Sequence, residues 1–233
     1  MTHRLRAGVE LNNNSRGTNT GIVNSNELSY SNNVLFPRNI SFWPVKRQRR
    51  ARAGESFITT NLGINNRLQL FSLQSANLAL GKNVPGKHNT PISTTTFTFK
   101  PLNVEFSYLF NESDSFLRIK SENPFLRYAY NTSFVLGMAG GVSNVYRNPK
   151  HLNSLSKERS IKLNAEESGL TWGLLPILNK YKSKYIKLDA EYKYTVNYRT
   201  TGIVFRAFAG VGIPLFKDSS LPFFKQFIGG GTS

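Results

Sequence analysis

Cysteine is absent from this chain of 233 residues, and acidic residues are scarce. Without cysteine there is no disulfide framework, no thiolate metal site and no cysteine nucleophile. The 13 Asp and Glu residues face 30 Lys and Arg residues, which gives a formal net charge of +17 at pH 7. An anionic partner is therefore expected, and nucleic acid, lipid phosphate and lipopolysaccharide all qualify.

Long apolar runs are also missing. The densest one, Leu174 to Leu178, is interrupted by Pro176, far short of the roughly 18 apolar residues of a membrane helix. This excludes a helical membrane protein. The segment from Met1 to Arg6 is basic, but no apolar stretch follows it, so no secretory signal peptide is expected here. An exported protein that began at Met1 would be incomplete.

Motifs for catalysis or cofactor binding are not supported. Gly81 to Lys87 has the spacing of a phosphate-binding loop, but His88 stands where Ser or Thr should be and a strand pattern follows instead of a helix. Glu166 and Glu167 are adjacent, so a strand would turn them to opposite faces. The histidines lack metal-ligand spacing: His3, His88 and His151. We therefore expect no enzyme, no metal and no cofactor.

The strongest positive signal is an alternation of apolar and polar residues. Its longest example runs from Ile186 to Val196, roughly 10 residues, which is the length of a tilted membrane strand. From this alternation we predict one face towards lipid, with Ile186, Leu188, Ala190, Tyr192, Phe205 and Ala207. The other face is predicted to line a lumen, with Lys187, Asp189, Glu191, Lys193 and Arg206.

Similar patterns recur along the chain, separated by segments rich in Asn, Ser, Gly and Pro. The predicted strands are Arg4 to Leu11, Ile22 to Tyr30, Phe57 to Ile64, Arg67 to Leu80, Ile92 to Phe99, Leu102 to Phe110, Ser133 to Val145, Ser160 to Glu166, Ile186 to Val196 and Gly202 to Ile213. A connection is predicted over Gly81 to Pro91, and a short loop helix over Asp114 to Asn123. The chain is interpreted as one all-β antiparallel domain over residues 1–233, with roughly nine or ten strands.

Two architectures suit such strands. In a soluble antiparallel sandwich, the polar face of each strand would simply be in contact with water. A transmembrane barrel better explains the strand length, the mixed charges on one face and the aromatics that end the other, such as Tyr108 and Phe110. We therefore favour part of an outer-membrane barrel.

The sharpest charge cluster lies between two predicted strands: Lys46, Arg47, Arg49, Arg50 and Arg52. Such a cluster can bind nucleic acid, but no RNA-recognition pattern or basic helix accompanies it. A solvated loop, contact with anionic headgroups and a place on a lumen wall are the other interpretations. Nucleic acid is disfavoured as the partner, although a soluble basic β-protein that binds it stays open as an alternative.

The last third of the chain resembles the barrel of the bacterial surface-antigen family, which includes the BamA and TamA outer-membrane assembly proteins. The resemblance rests on three segments: Tyr185 to Tyr194, Phe205 to Pro214 and Leu221 to Ser233. Within the family it is nearest to the TamL-type members of Bacteroidetes. The segments Asn103 to Phe110 and His3 to Leu11 fit the same pattern more loosely.

This resemblance implies part of a 16-strand barrel in the bacterial outer membrane that inserts other barrels without ATP. Its partners would be membrane lipid and lipopolysaccharide, unfolded outer-membrane proteins as clients, and periplasmic assembly proteins. The family's lumenal loop carries an Arg-Gly-aromatic motif shortly after a Phe-x-Gly-Gly stretch. Phe227, Gly229, Gly230 and Ser233 match the approach to that motif, and the chain then ends.

The sequence also departs from the family. The passage from Phe36 through the basic cluster to Phe57 is short, POTRA domains are missing, and the final Gly-rich residues are not a terminal strand. We therefore expect this polypeptide to be a fragment of such a factor. A passive outer-membrane pore shares the alternation and the charge, and it stays open as an alternative.

Overall fold

The computed structural model describes residues 1–11, 23–36, 54–67, 70–123, 130–148, 156–172, 183–198, 201–215 and 221–227. Within these residues the chain forms one antiparallel sheet whose nine strands follow each other in chain order. The strands are β1 Thr2–Leu11, β2 Val23–Phe36, β3 Glu55–Arg67, β4 Phe71–Pro85, β5 Ser93–Phe110, β6 Ser133–Asn148, β7 Ser156–Ser168, β8 Tyr185–Asn197 and β9 Gly202–Pro214. The predicted all-β antiparallel fold is confirmed.

Helical structure is short in the described part of the chain. Helix α1 spans Asp114–Glu122, and a single 3₁₀ turn spans Phe223–Lys225. The loop helix predicted over Asp114 to Asn123 is thus present, with the Ser113 hydroxyl accepting a hydrogen bond from the Phe116 backbone N–H as an N-cap. None of the described helices has the length and apolar character needed to cross a membrane.

The two strands predicted over Ile92 to Phe99 and Leu102 to Phe110 are one strand, β5, so that prediction was wrong. Lys100 pairs with Ala139 but Asn103 pairs with Gly137, which leaves one extra residue on β5 beside Pro101. Proline cannot donate to a ladder and is tolerated at such a bulge. Because the extra residue shifts the alternation by one, the sequence pattern breaks phase while the strand continues.

Strand β4 also differs from its prediction. It runs on to Pro85, so Gly81 to Pro85 belong to the sheet and only the residues from Gly86 to Ile92 connect it to β5. Gly81 lies against the ring of Phe57, where a side-chain Cβ would come within 2.2 Å of it. The glycine that resembled part of a phosphate-binding loop therefore makes room for an aromatic ring.

The paired register assigns each residue to one of two faces. We call one the apolar face; along the sheet it carries Leu5, Tyr30, Leu62, Leu78, Val104, Val142, Leu163, Leu188 and Val211. We call the other the polar face; it carries Arg6, Ser29, Asn61, Asn77, Asn103, Ser143, Asn164, Asp189 and Arg206.

Burial of the two faces is inverted relative to a water-soluble domain. On the apolar face Leu5 is 70% exposed, Phe205 61% and Phe97 50%, whereas on the polar face Asn103 is 5% exposed and Ser168 is fully buried. No second sheet covers the apolar face among the residues that the structure describes. Within the described residues the sheet thus presents a broad uncovered apolar surface, and part of its polar face is packed.

A small aromatic cluster lies at one end of the sheet. We call this end the helix end, because β5 leads there into α1. Phe116 of α1 packs on Phe71 and Tyr130, with ring centroids 4.7 and 5.7 Å away. The Lys120 ammonium contacts the Glu112 carboxylate at 2.7 Å and ties the helix to its own preceding turn. The opposite end, which we call the hairpin end, carries the connections from β6 to β7 and from β8 to β9, together with the longer one from β2 to β3.

Candidate functional site

The residues after β9 fold back over the polar face. Leu221 lies over Gly212, where an added Cβ would come within 2.6 Å of the leucine side chain. Phe227 lies in the same way over Gly210, with 2.4 Å between an added Cβ and the aromatic ring. The two glycines of β9 therefore leave the space that this segment occupies. We call residues Leu221–Phe227 the return segment.

One lysine anchors the return segment. The Lys225 ammonium lies 2.7 Å from the Glu105 carboxylate on β5 and 2.6 Å from the Glu166 carboxylate on β7. Lys225 is 7% exposed, so both ion pairs are largely shielded from water. Charge-assisted contacts of this length are among the stronger polar interactions in proteins, and here they join a loop to two strands that are not sequence neighbours.

The anchor belongs to a longer polar network. The hydroxyl of Tyr185, a residue that is 1% exposed, donates to Glu166 Oε1 at 2.7 Å. On the other side, the amide of Asn103 donates to Glu105 Oε1 at 2.8 Å. The network continues along neighbouring strands through amide contacts of Asn77 with Asn103 and of Asn61 with Asn77. Side chains from β3, β4, β5, β7 and β8 are thereby linked to Lys225.

Aromatic contacts hold the far end of the return segment. The Phe227 ring lies 5.5 Å from that of Phe208 on β9, at an interplanar angle of 59°. The Lys187 ammonium on β8 lies 4.4 Å from the centre of the Phe227 ring, within the range of a cation–π contact. The return segment is thus held at Lys225 by charge and at Phe227 by ring contacts.

The predicted lumen residues all lie on the polar face. Glu191 accepts from the Arg206 guanidinium at 3.1 Å, and Asp189 accepts from the Asn164 amide at 2.7 Å. The same side of the sheet carries Lys187 and Lys193. The side chains predicted to face lipid lie together on the apolar face: Ile186, Leu188, Ala190, Tyr192, Phe205 and Ala207. Which face meets lipid stays a prediction.

Several sequence candidates fall outside the described residues. Among the residues matched to the family loop, Phe227 is described, whereas Gly229, Gly230 and Ser233 are not. The basic cluster is also outside: Lys46, Arg47, Arg49, Arg50 and Arg52. The strand ends that flank this cluster, Phe36 of β2 and Glu55 of β3, both lie at the hairpin end.

The acidic and histidine residues that the sequence analysis considered for catalysis or metal binding make ordinary structural contacts where the structure describes them. Glu166 and Glu167 point to opposite faces, as predicted: Glu166 joins the Lys225 network, while Glu167 accepts from the backbone N–H of Leu170. The ring of His3 lies 2.8 Å from the Tyr30 hydroxyl. His151 lies outside the described residues. Within the described residues no group of three or more His, Asp or Glu side chains could hold a metal ion.

Sequence reasoning missed the anchor because its members are far apart in the chain. Glu105 appeared only as a polar residue of an alternating strand, Glu166 only there and in a rejected pair with Glu167, and Tyr185 only as part of a family-like segment. The available signal was Lys225 itself, a single cation between aromatic residues in Phe223 to Phe227. A charge in such surroundings needs a partner, but its identity depends on the fold.

No family model, curated protein or solved structure matches this chain.

Proposed function

We propose that this sheet is part of the wall of a transmembrane β-barrel in the bacterial outer membrane, and that the barrel belongs to a non-enzymatic protein assembly factor of the BamA and TamA kind. The apolar face meets lipid, and the polar face lines the interior. Membrane lipid and lipopolysaccharide surround the wall, unfolded outer-membrane proteins are its clients, and periplasmic assembly proteins deliver them. Nucleic acid is not a partner in this proposal.

The return segment is the observation that carries the proposal. It contains Phe227, one of the four residues that match the approach to the family's lumenal loop, and it lies on the polar face, held there by Lys225 and Phe227. A loop folded onto the inner side of a wall occupies space that a simple channel would leave to water. This placement therefore favours the assembly factor over other barrels.

The uncovered apolar face supports the membrane location. Each of the nine strands has at least one large exposed apolar or aromatic side chain, with Tyr146 as the one on β6, and together they make an apolar area far larger than a soluble monomer usually exposes. Hydrocarbon is a suitable solvent for the inner strands of this face, because their backbone polar groups pair with strands on both sides. The outer edges of β1 and β9 have no strand partner within the described residues, and closing the barrel would require a partner for each.

A reconstitution experiment tests the proposal. The purified protein is placed in phospholipid vesicles, a urea-denatured outer-membrane barrel is added, and its folding is followed by the shift in gel mobility that folded barrels show without heating. We expect faster client folding than in empty vesicles, and a slower rate for Lys225→Met than for the control Lys193→Met. Equal rates with and without the protein would contradict an assembly role.

A passive pore is the second candidate, and the charged polar face favours it. Lys187, Asp189, Glu191 and Arg206 would suit a water-filled lumen. Planar-bilayer recording separates the two candidates, because a large and stable open conductance requires an unobstructed lumen. If such a conductance accompanied unchanged client folding, the pore would replace the assembly factor.

A further inference from the structure

A row of aromatic and basic side chains crosses the apolar face near the hairpin end. Tyr146 of β6, Arg159 of β7, Tyr194 of β8 and Phe205 of β9 stand directly opposite one another in the register. The Arg159 guanidinium lies over the Tyr146 ring, 5.6 Å from its centre. The cation–π contact orients this charge at the end of the apolar face where polar side chains such as Ser93 and Asn144 also lie.

Lys157 adds a second positive charge to the row. It lies two residues from Arg159 on the same side of β7, a spacing of about 7 Å along a strand, and both side chains are exposed. In the described part of the chain neither has a carboxylate within ion-pairing distance. The neighbouring Glu158 points to the polar face, where it pairs with Arg147 at 2.8 Å. Two cations are thus left to an external anion.

A groove of about 770 Å³ lies on the apolar face next to this row. Leu163, one of its lining residues, is four residues from Arg159 along β7, about 13 Å in an extended strand. The groove exists because small residues interrupt the bulky ones. Its apolar-face lining includes Gly140, Val142, Leu163, Ala165, Leu188 and Ala190.

We propose that Lys157, Arg159 and the groove together form a binding site for one anionic phospholipid, with the phosphate on the two cations and an acyl chain in the groove. Tyr146 and Tyr194 flank the phosphate, as aromatic residues do at membrane interfaces. The site rests on the proposed membrane location.

The position of the site at the hairpin end indicates which membrane leaflet supplies the phosphate. Next to the site, the connections from β6 to β7 and from β8 to β9 lie at the hairpin end and are shorter than those from β5 to β6 and from β7 to β8 at the helix end. Short turns of outer-membrane barrels face the periplasm, and the leaflet on that side consists of phospholipid. Phosphatidylglycerol has the required combination of one anionic phosphate and two acyl chains. Lipid A would instead approach from the other leaflet, so the two sources are experimentally separable.

Spin-labelled lipids in phosphatidylcholine vesicles test the site. We measure the relative association constant of labelled phosphatidylglycerol over labelled phosphatidylcholine from the fraction of motionally restricted label. We expect this ratio to be about ten for the unaltered protein. The double substitution Lys157→Gln with Arg159→Gln should bring the ratio close to one. The matched control is Lys162→Gln with Lys193→Gln, which removes the same charge from the polar face and should leave the ratio unchanged.

A second variant addresses the groove. Ala190→Phe fills it while both cations stay, so the bound fraction of phosphatidylglycerol should fall at least threefold, about the loss expected for a blocked apolar contact. Ala7→Phe, also on the apolar face but on β1, is the control. An unchanged fraction in Ala190→Phe would contradict the assigned groove.

The outcomes separate this inference from the proposed function. A protein that stays in the aqueous phase with vesicles present would refute the membrane location and the site with it. A protein that inserts but shows no preference for phosphatidylglycerol would refute the site alone. Equal losses in the two Gln variants would indicate a general charge effect, and a stronger preference for lipid A would refute the assigned source.

Discussion

The two faces of the sheet carry opposite chemistry on the same strands. Leu188 is 46% exposed on the apolar face, while the next residue, Asp189, accepts a hydrogen bond on the polar face. The apolar face has no specific partner in the described chain, whereas the polar face binds the return segment through Lys225. The stability of the apolar face therefore depends on the solvent that surrounds it, whereas the stability of the polar face depends on specific contacts such as those of Lys225.

Lys225→Met tests the polar face and should have the largest effect. Removing the ammonium leaves the Glu105 and Glu166 carboxylates close together without a cation, a change that typically costs about 3 to 5 kcal/mol in a buried site. Because the chain has no cysteine, Pro222→Cys in the buried part of the return segment can serve as a thiol-labelling probe. We expect labelling to be about a hundredfold faster without Lys225.

Lys193→Met is the control for this experiment, since it removes a charge from the polar face outside the anchor. An unchanged labelling rate in the Lys225 variant would contradict the anchoring role. A faster rate in both variants would indicate that general charge, and not the two short ion pairs, holds the segment.

Leu188→Arg and Asp189→Asn compare the two faces at adjacent residues of β8. If the apolar face meets hydrocarbon, an arginine near the middle of the membrane should cost about 2 to 4 kcal/mol. The amide at 189 can still accept from Asn164, so Asp189→Asn should change the free energy of unfolding by less than about 0.5 kcal/mol. Urea titration of the vesicle-bound protein, followed by tryptophan fluorescence, measures both.

Equal stability of these two variants would overturn the assigned facing. A larger loss for Asp189→Asn than for Leu188→Arg would reverse it and put the polar face towards the apolar solvent. Leu188→Ile is the matched control, because it keeps the apolar character at the same position.

Arg206→Gln should have the smallest effect. The Arg206 side chain is 55% exposed in its ion pair with Glu191, and exposed pairs contribute about 0 to 1 kcal/mol. We expect a change below about 0.5 kcal/mol in the same titration, and a similar one for Glu191→Gln. A loss as large as that of Lys225→Met would mean that the polar face is stabilised by charge everywhere and not chiefly at the anchor.

Prediction from sequence succeeded where one local period governs the structure. Ile186 to Val196 was expected as a strand, and β8 spans Tyr185–Asn197. It failed around Pro101, where the alternation shifts phase although the strand continues. A pattern cannot distinguish a bulge from a strand end, because both interrupt the period and only pairing with β4 and β6 tells them apart.

Alternation also separated the residues of the two faces, because successive side chains of a strand point to opposite sides whatever the partner strands are. It could not bring Glu105, Glu166 and Lys225 together, since their proximity follows from the order of strands in the sheet and from the path of the return segment. Likewise, Tyr146, Arg159 and Tyr194 form one row only because of the register between β6, β7 and β8.

The sequence by itself determined the all-β fold, the residues that share each face and the excess of positive charge, because these follow from period, composition and local geometry. Tertiary structure decided the bulge at Pro101, the anchor at Lys225 and the basic row beside the groove. Each of these requires residues distant in the chain to be adjacent, and only the pairing of strands supplies that adjacency.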